Sequence, residues 1–176
     1  MTWYVALVLA VGAERLAELV VAKRHAAWAF AHGGIESGQR HYPPMVALHI
    51  GLLAACVVEA GVSGRPFVPA LGWTALALVL ASQGLRWWCI ATLGKLWNTR
   101  IIVVPGVDLV HRGPYRLLRH PNYVAVAIEG AALPLVHSAW ITAITFTVLN
   151  AILLLGYRIP AEERALRSVA TPVAST

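Results

Sequence analysis

Residues 93–123 read LGKLWNTRIIVVPGVDLVHRGPYRLLRHPNY. The stretch is too long for a simple turn and too basic to cross a membrane. It gathers Trp97, Tyr115, His120, Asn122 and Tyr123, side chains that stack and hydrogen-bond. A basic loop resting on anionic headgroups accounts for the charge, each Lys or Arg adding ~1 kcal/mol, but not for those five residues. A second concentration, Tyr157-Arg158-Ile159-Pro160-Ala161-Glu162-Glu163-Arg164, follows the last apolar run. Arg158 and Glu162 are four apart and share one helical face if the helix continues through Pro160. Taken alone they also fit a snorkelling helix end with a surface ion pair worth at most ~1 kcal/mol. Glu129 stands inside an apolar segment, where a carboxylate is expensive and marks a functional site by default. Protonation, or pairing with Arg86 or the Asn150 amide, are its structural alternatives. Glu14, Arg15 and Glu18 read as local pairs facing a bundle interior. The other histidines have no metal-ligand spacing and no HExxH pair is present, so no metal is expected. Cys56 and Cys89 lie in apolar segments as packing residues. No Gly-rich phosphate loop follows a strand.

The elements that must position these groups are membrane helices. Of the 176 residues 59% are hydrophobic and 12% charged, with a mean hydropathy of +0.67; an ordinary soluble protein carries roughly 25% charge. That excludes a disordered chain, a soluble enzyme with a polar shell and a disulfide scaffold. The length fits a single domain, residues 1–176. Apolar runs at 3–22, 44–62, 67–89, 123–136 and 139–157 predict an all-α, polytopic integral-membrane bundle of about five transmembrane helices, or four if the first lies at the interface. Three helices precede residue 93. The loop, a helical hairpin and a C-terminal segment occupy 93–167. Pro134 and His137-Ser138 break the last long run into a tight hairpin with a short first arm. Residues 98–104 predict a short extended piece, Pro105-Gly106 and Gly113-Pro114 turns, and Pro121 the first turn of the next helix. The tail 168–176 is small and polar enough to fray.

Net charge is +6. Lys23, Arg24 and Arg40, the five cations of the 93–121 loop, and Arg158, Arg164 and Arg167 fall on one side of a five-span arrangement, with Arg65 alone opposite. The positive-inside rule then predicts the N-terminus outside and the loop and C-terminus in the cytoplasm. Cations so placed serve orientation and leave nucleic-acid binding without support. No cleavable signal peptide is evident.

The block GPYRLLRHPNY, followed after an apolar hairpin by RIPAEERAL, resembles the isoprenylcysteine carboxyl methyltransferase family over residues 93–166. The fuller pattern NTRIIVVPG…RGPYRLLRHPNYVAVAIE, with the earlier HYPPMVALH, is similar to a bacterial branch. Some members of that branch O-methylate long-chain alkylpyrones and alkylresorcinols. The resemblance implies a membrane-embedded O-methyltransferase that uses S-adenosylmethionine and takes a lipophilic substrate sideways between helices. It implies cofactor contacts at Val107, Asp108, Leu109, Val110, Tyr115, His120, Pro121, Asn122, Tyr123 and Glu162, and places Arg158 at the reacting oxygen. Eukaryotic members carry His and Gln where this chain has Val107 and Val103, which implies backbone rather than side-chain contacts there.

The chemistry suits these residues. Methyl transfer needs an oxygen held in line with the methyl carbon, and such positioning supplies ~7–11 kcal/mol. Arg158 would keep a carboxylate or enolate ionised and oriented. Glu162 would accept from cofactor amino or hydroxyl groups and favour a sulfonium, and His120 would donate to the cofactor carboxylate. A phenol or pyrone enol would need a base, for which His120 and Glu129 qualify; Glu129 is a substrate-side candidate. A phospholipid N-methyltransferase is disfavoured because Arg158 would sit beside an amine. A sterol-type nicotinamide-dependent reductase and a non-enzymatic lipid-binding bundle remain as other classes.

Overall fold

A computed structural model describes residues 1–170; of the tail expected to fray, positions 168–170 continue a helix and 171–176 lie outside the described residues. The described residues form helices α1 (Thr2–Ala31), α2 (Tyr42–Val62), α3 (Pro69–Leu93), α4 (Pro121–Leu135), α5 (Trp140–Leu153) and α6 (Ile159–Ala170). Two three-residue strands, β1 (Ile35–Ser37) and β2 (Ile101–Val103), pair antiparallel with Ile35 opposite Val103. Among the described residues three segments are long and apolar enough to cross a membrane: Gln39–Val62, Pro69–Leu96 and Trp140–Ser168. The first apolar run does not end at Ala22. Ala26, Ala27, Ala29 and Ala31 favour helix, so α1 continues to Ala31 and Lys23 and Arg24 ride on its extension instead of a connecting loop. At 1.5 Å per residue the 15 residues of α4 reach only about 22 Å, short of a bilayer core of about 30 Å.

Helices in lipid gain little from burying apolar surface against one another, so close approach of small residues must hold them. Ala22, Ala26, Ala29, Ala60, Ala75, Ala125 and Ala132 are accordingly among the buried residues. At Gly130 of α4 any Cβ would overlap the Phe146 ring of α5, so this crossing requires glycine. Ser138, at φ 58°, turns the chain between these two helices. The two free cysteines are fully buried.

Arg65, the isolated cation, has a local partner. It donates to Glu59 Oε1 at 2.6 Å and to the Ser138 carbonyl at 2.9 Å. Glu59, from the end of α2, accepts from the backbone N–H groups of Ile141 and Thr142 at 3.1 and 2.7 Å, and from the Thr142 hydroxyl at 2.7 Å. It thus caps α5 from another helix and places negative charge at its N-terminus. Glu59→Ala is expected to lower stability by about 2 kcal/mol, read as a fall in Tm in detergent, with Glu59→Gln intermediate.

At the opposite end the three cation-bearing segments meet. The β1–β2 ribbon ties the 32–41 loop to the 94–120 loop, Arg100 pairs with Glu36 at 3.3 Å, and Ile101 packs on Ala161 and Ala165 of α6.

Candidate active site

Three supports converge on one wall. The first is the extension of α1. Trp97, 2% exposed, packs on Ala22 and Ile90; His25 Nδ1 meets the Trp97 carbonyl at 2.8 Å, and Asn98 Nδ2 donates to the Ala22 carbonyl at 3.1 Å. Asn98 Oδ1 also accepts from the Arg100 N–H at 3.1 Å. These contacts clamp the chain on both sides of Thr99.

The second support is the junction of α5 and α6. Pro160 has no N–H to donate and its ring would clash with the carbonyl four residues back, at Gly156. The helix answers with a π-helical turn, Leu154–Arg158, and continues. Such turns widen a helix without ending it and recur at functional positions. Arg158 and Glu162 consequently face the same space.

The third support is α4, which begins at Pro121 and brings in Tyr123. The Tyr123 hydroxyl joins the pair: it donates to Glu162 Oε2 and accepts from Arg158 Nε at 3.2 Å. Arg158, 4% exposed, also donates from Nη2 to the Thr99 carbonyl at 2.5 Å. Its remaining donors make no hydrogen bond among the described residues, and a guanidinium carries five N–H groups. Tyr42 and Thr99 share a 3.3 Å hydrogen bond between their hydroxyls.

This wall borders a cavity of about 620 Å3, within the range of small-molecule sites. Val107, Asp108, Leu109, Val110, Tyr115, His120, Asn122, Tyr123, Glu129, Arg158 and Glu162 all line it, as does Val103. Pro121 does not; it is buried as the first residue of α4. Much of the remaining lining is aliphatic, including Leu16 and Leu19 of α1 and Met45, Val46 and Ile50 of α2, and Arg15, Glu18 and His49 of the same helices also reach it. The cavity is therefore amphiphilic, ionic groups sharing a largely apolar lining. Thr99 and Tyr42 carried no sequence signal, since one contributes a main-chain carbonyl and the other lies 57 residues away.

Glu129 pairs with neither expected partner. It accepts from Arg15 Nη2 at 2.9 Å. Arg15 also donates to Glu18 at 2.7 Å and to Gln83 at 2.7 Å, and Arg86 binds Glu18 through Nε at 2.5 Å and Nη2 at 2.9 Å. Glu14 takes Gln83, and Trp87 at 2.6 Å. The charges of α1 are thus the centre of a network across α1, α3 and α4, and not merely local pairs.

Two polar atoms at the cavity lack partners. Trp97 Nε1 and Asn122 Oδ1 are buried without hydrogen bonds and belong to cavity-lining residues. Buried polar groups are rarely left so, and an indole N–H beside an amide oxygen fits a ligand bearing both acceptor and donor groups. Burial, and then the nearby Cys89 thiol, push the Tyr115 hydroxyl up, so it stays a neutral donor. Among the described residues no group of three or more His, Cys, Asp or Glu could hold a metal ion.

His120 stands 3.8 Å from Glu162 and 3.5 Å from Glu163, ion-pair distances, and stacks on Tyr123. The Glu162 carboxylate, aided by Glu163 and opposed by burial, raises the imidazole above its ordinary 6.5. A raised folded-state value stabilises the fold fully below pH 6.5 and loses that contribution as pH rises through it. Melting curves across this interval should show wild type losing stability relative to His120→Gln as pH increases. Parallel curves would contradict the pairing.

The chain matches the isoprenylcysteine carboxyl methyltransferase (ICMT) family over residues 75–168, which takes in most of α3 as well as the loop and hairpin. It is 38% identical over 168 residues to the uncharacterized protein YpbQ of Bacillus subtilis (strain 168), covering 95% of this chain and 97% of that protein. It is 26% identical over 155 residues to an uncharacterized protein of Haemophilus influenzae, covering 88% and 89%. No solved structure matches. The family match extends over more than half of the chain: the chain belongs to the isoprenylcysteine carboxyl methyltransferase family of membrane methyltransferases, which use S-adenosylmethionine.

Proposed function

We propose that the protein is an S-adenosylmethionine-dependent O-methyltransferase acting on a carboxylate, enol or phenol oxygen of a lipophilic substrate within the membrane. The substrate class is a prenylcysteine-like acid or a long-chain alkylpyrone or alkylresorcinol. The observation that carries the reading is the Arg158–Tyr123–Glu162 hydrogen-bonded set in one cavity with a largely apolar lining. We place five helices in the bilayer, with the N-terminus outside and the loop and C-terminus in the cytoplasm. The meeting of the cation-bearing segments at one end supports that orientation.

S-adenosylmethionine supplies an electrophilic methyl group when bound. Val107 to Val110, Tyr115, His120, Asn122, Tyr123 and Glu162 would hold it, with Pro121 fixing the start of α4. Glu162 would contribute negative charge near a sulfonium, and the unpartnered Trp97 and Asn122 atoms would find partners. Arg158 points its free donors at the acceptor oxygen, holds it ionised and orients it. Tyr123 and the Thr99 carbonyl hold the guanidinium plane in place. Glu129, tied to Arg15, serves the substrate side of the cavity.

Purified protein given methyl-labelled cofactor and acceptors of each type tests this. Label in a base-labile methyl ester or a base-stable methyl ether is expected. Label in a phospholipid amine would replace the reading with N-methylation. Glu162→Ala is expected to weaken S-adenosylhomocysteine binding at least about tenfold, the ~1.4 kcal/mol of one charge-assisted contact.

A further inference from the structure

The short helical turn Gly113–Arg116 and the residues after it differ from the rest of the loop. Pro114 is buried and the half-buried Tyr115 sets its hydroxyl against Cys89, which fixes the turn to α3. Arg116, Leu117, Leu118 and Arg119 are then all exposed, Leu117 at 75%. A Cβ at Gly113 would come within 3.2 Å of the Trp88 indole nitrogen, so the turn leans on Trp88, itself half exposed near the end of a helix apolar enough to cross a membrane. Leu117 precedes the first residue of α4 by four positions. Exposed indoles at such helix ends mark the membrane–water boundary.

The charges here are unmet. Arg112 and Arg116 have no ion-pair partner among the described residues, and Arg119, 84% exposed, only approaches Glu163 at 3.6 Å. Adjacent leucines between exposed arginines, beside an exposed indole, have the composition of an interfacial anchor. Guanidinium groups suit phosphate oxygens.

We propose that residues 112–119 form a docking site for the headgroups of anionic phospholipids, with Leu117 and Leu118 in the acyl boundary. Tyr115, Arg119 and His120 also line the cavity, so lipid bound here holds the cavity mouth in place and strengthens ligand binding. This second part rests on the methyltransferase reading.

Native mass spectrometry in detergent with equal phosphatidylglycerol and phosphatidylcholine reads the lipid site directly. Wild type is expected to retain phosphatidylglycerol preferentially, and R112Q/R116Q and L117S/L118S, changes of exposed side chains, to lose that preference. In nanodiscs, S-adenosylhomocysteine should bind wild type about tenfold more tightly with phosphatidylglycerol present, and R112Q/R116Q equally in both lipids. No lipid preference in wild type, or a preference undiminished in both variants, overturns the site. A preference without any change in ligand affinity overturns the coupling. Absence of ligand binding in every disc is instead failure of the methyltransferase reading, and the lipid-retention result stands apart from it.

Discussion

Arg158→Ala is expected to remove methyl transfer by a factor of about a hundred to a thousand, the loss typical of one preorganised donor at developing or reacting charge. S-adenosylhomocysteine binding should be largely kept, because Glu162 and the loop remain. Arg158 is 4% exposed and held at two of its nitrogens, by Tyr123 and the Thr99 carbonyl, so its fork is already oriented before a substrate arrives. Arg158→Lys keeps the charge but loses the planar fork, and should fall between wild type and alanine. Steady-state rates with thermal melts of each variant check this. The alanine variant leaves the Thr99 carbonyl without its donor, at about 1–3 kcal/mol if water does not replace it. Folded alanine protein with full activity would remove Arg158 from the reaction.

The largest effect on stability is expected at Glu18, the hub of the bundle interior. Its side chain is 1% exposed and accepts from Arg86 at 2.5 and 2.9 Å and from Arg15 at 2.7 Å. Glu18→Ala leaves Arg86 without its carboxylate and weakens the hold on Arg15, and breaking a buried pair this way costs about 3–5 kcal/mol. That corresponds to a fall in Tm of roughly 10 °C for a chain of this length, read in detergent. Glu18→Gln, which keeps an acceptor but not the charge, should lie between. An alanine variant melting with wild type would mean that the network contributes no net stability.

The helices were legible because apolar run length reports membrane helices directly. What misled was the use of charge as a boundary: Lys23 and Arg24 close a lipid-facing segment without breaking a helix that the alanines after them sustain. Arg158 and Glu162 could be placed on one face because four-residue spacing is a local property, and a π-turn preserved it across Pro160. The bridge through Tyr123 could not be read, since it spans 35 and 39 residues and depends on how α4 meets α6. Arg15 and Glu129 lie 114 residues apart, and a buried carboxylate has no way to announce which distant guanidinium it takes. The β1–β2 ribbon escaped for another reason, three residues being too few to show an alternating pattern; only the extended character of 98–104 was visible.

Calorimetric titration of S-adenosylhomocysteine into detergent-purified wild type, Arg158→Ala and Glu162→Ala tests the central claim most directly. The account predicts saturable binding by wild type and Arg158→Ala, and binding by Glu162→Ala that is at least about tenfold weaker. A folded wild-type protein that binds nothing would contradict a cofactor pocket beside Arg158 and Glu162.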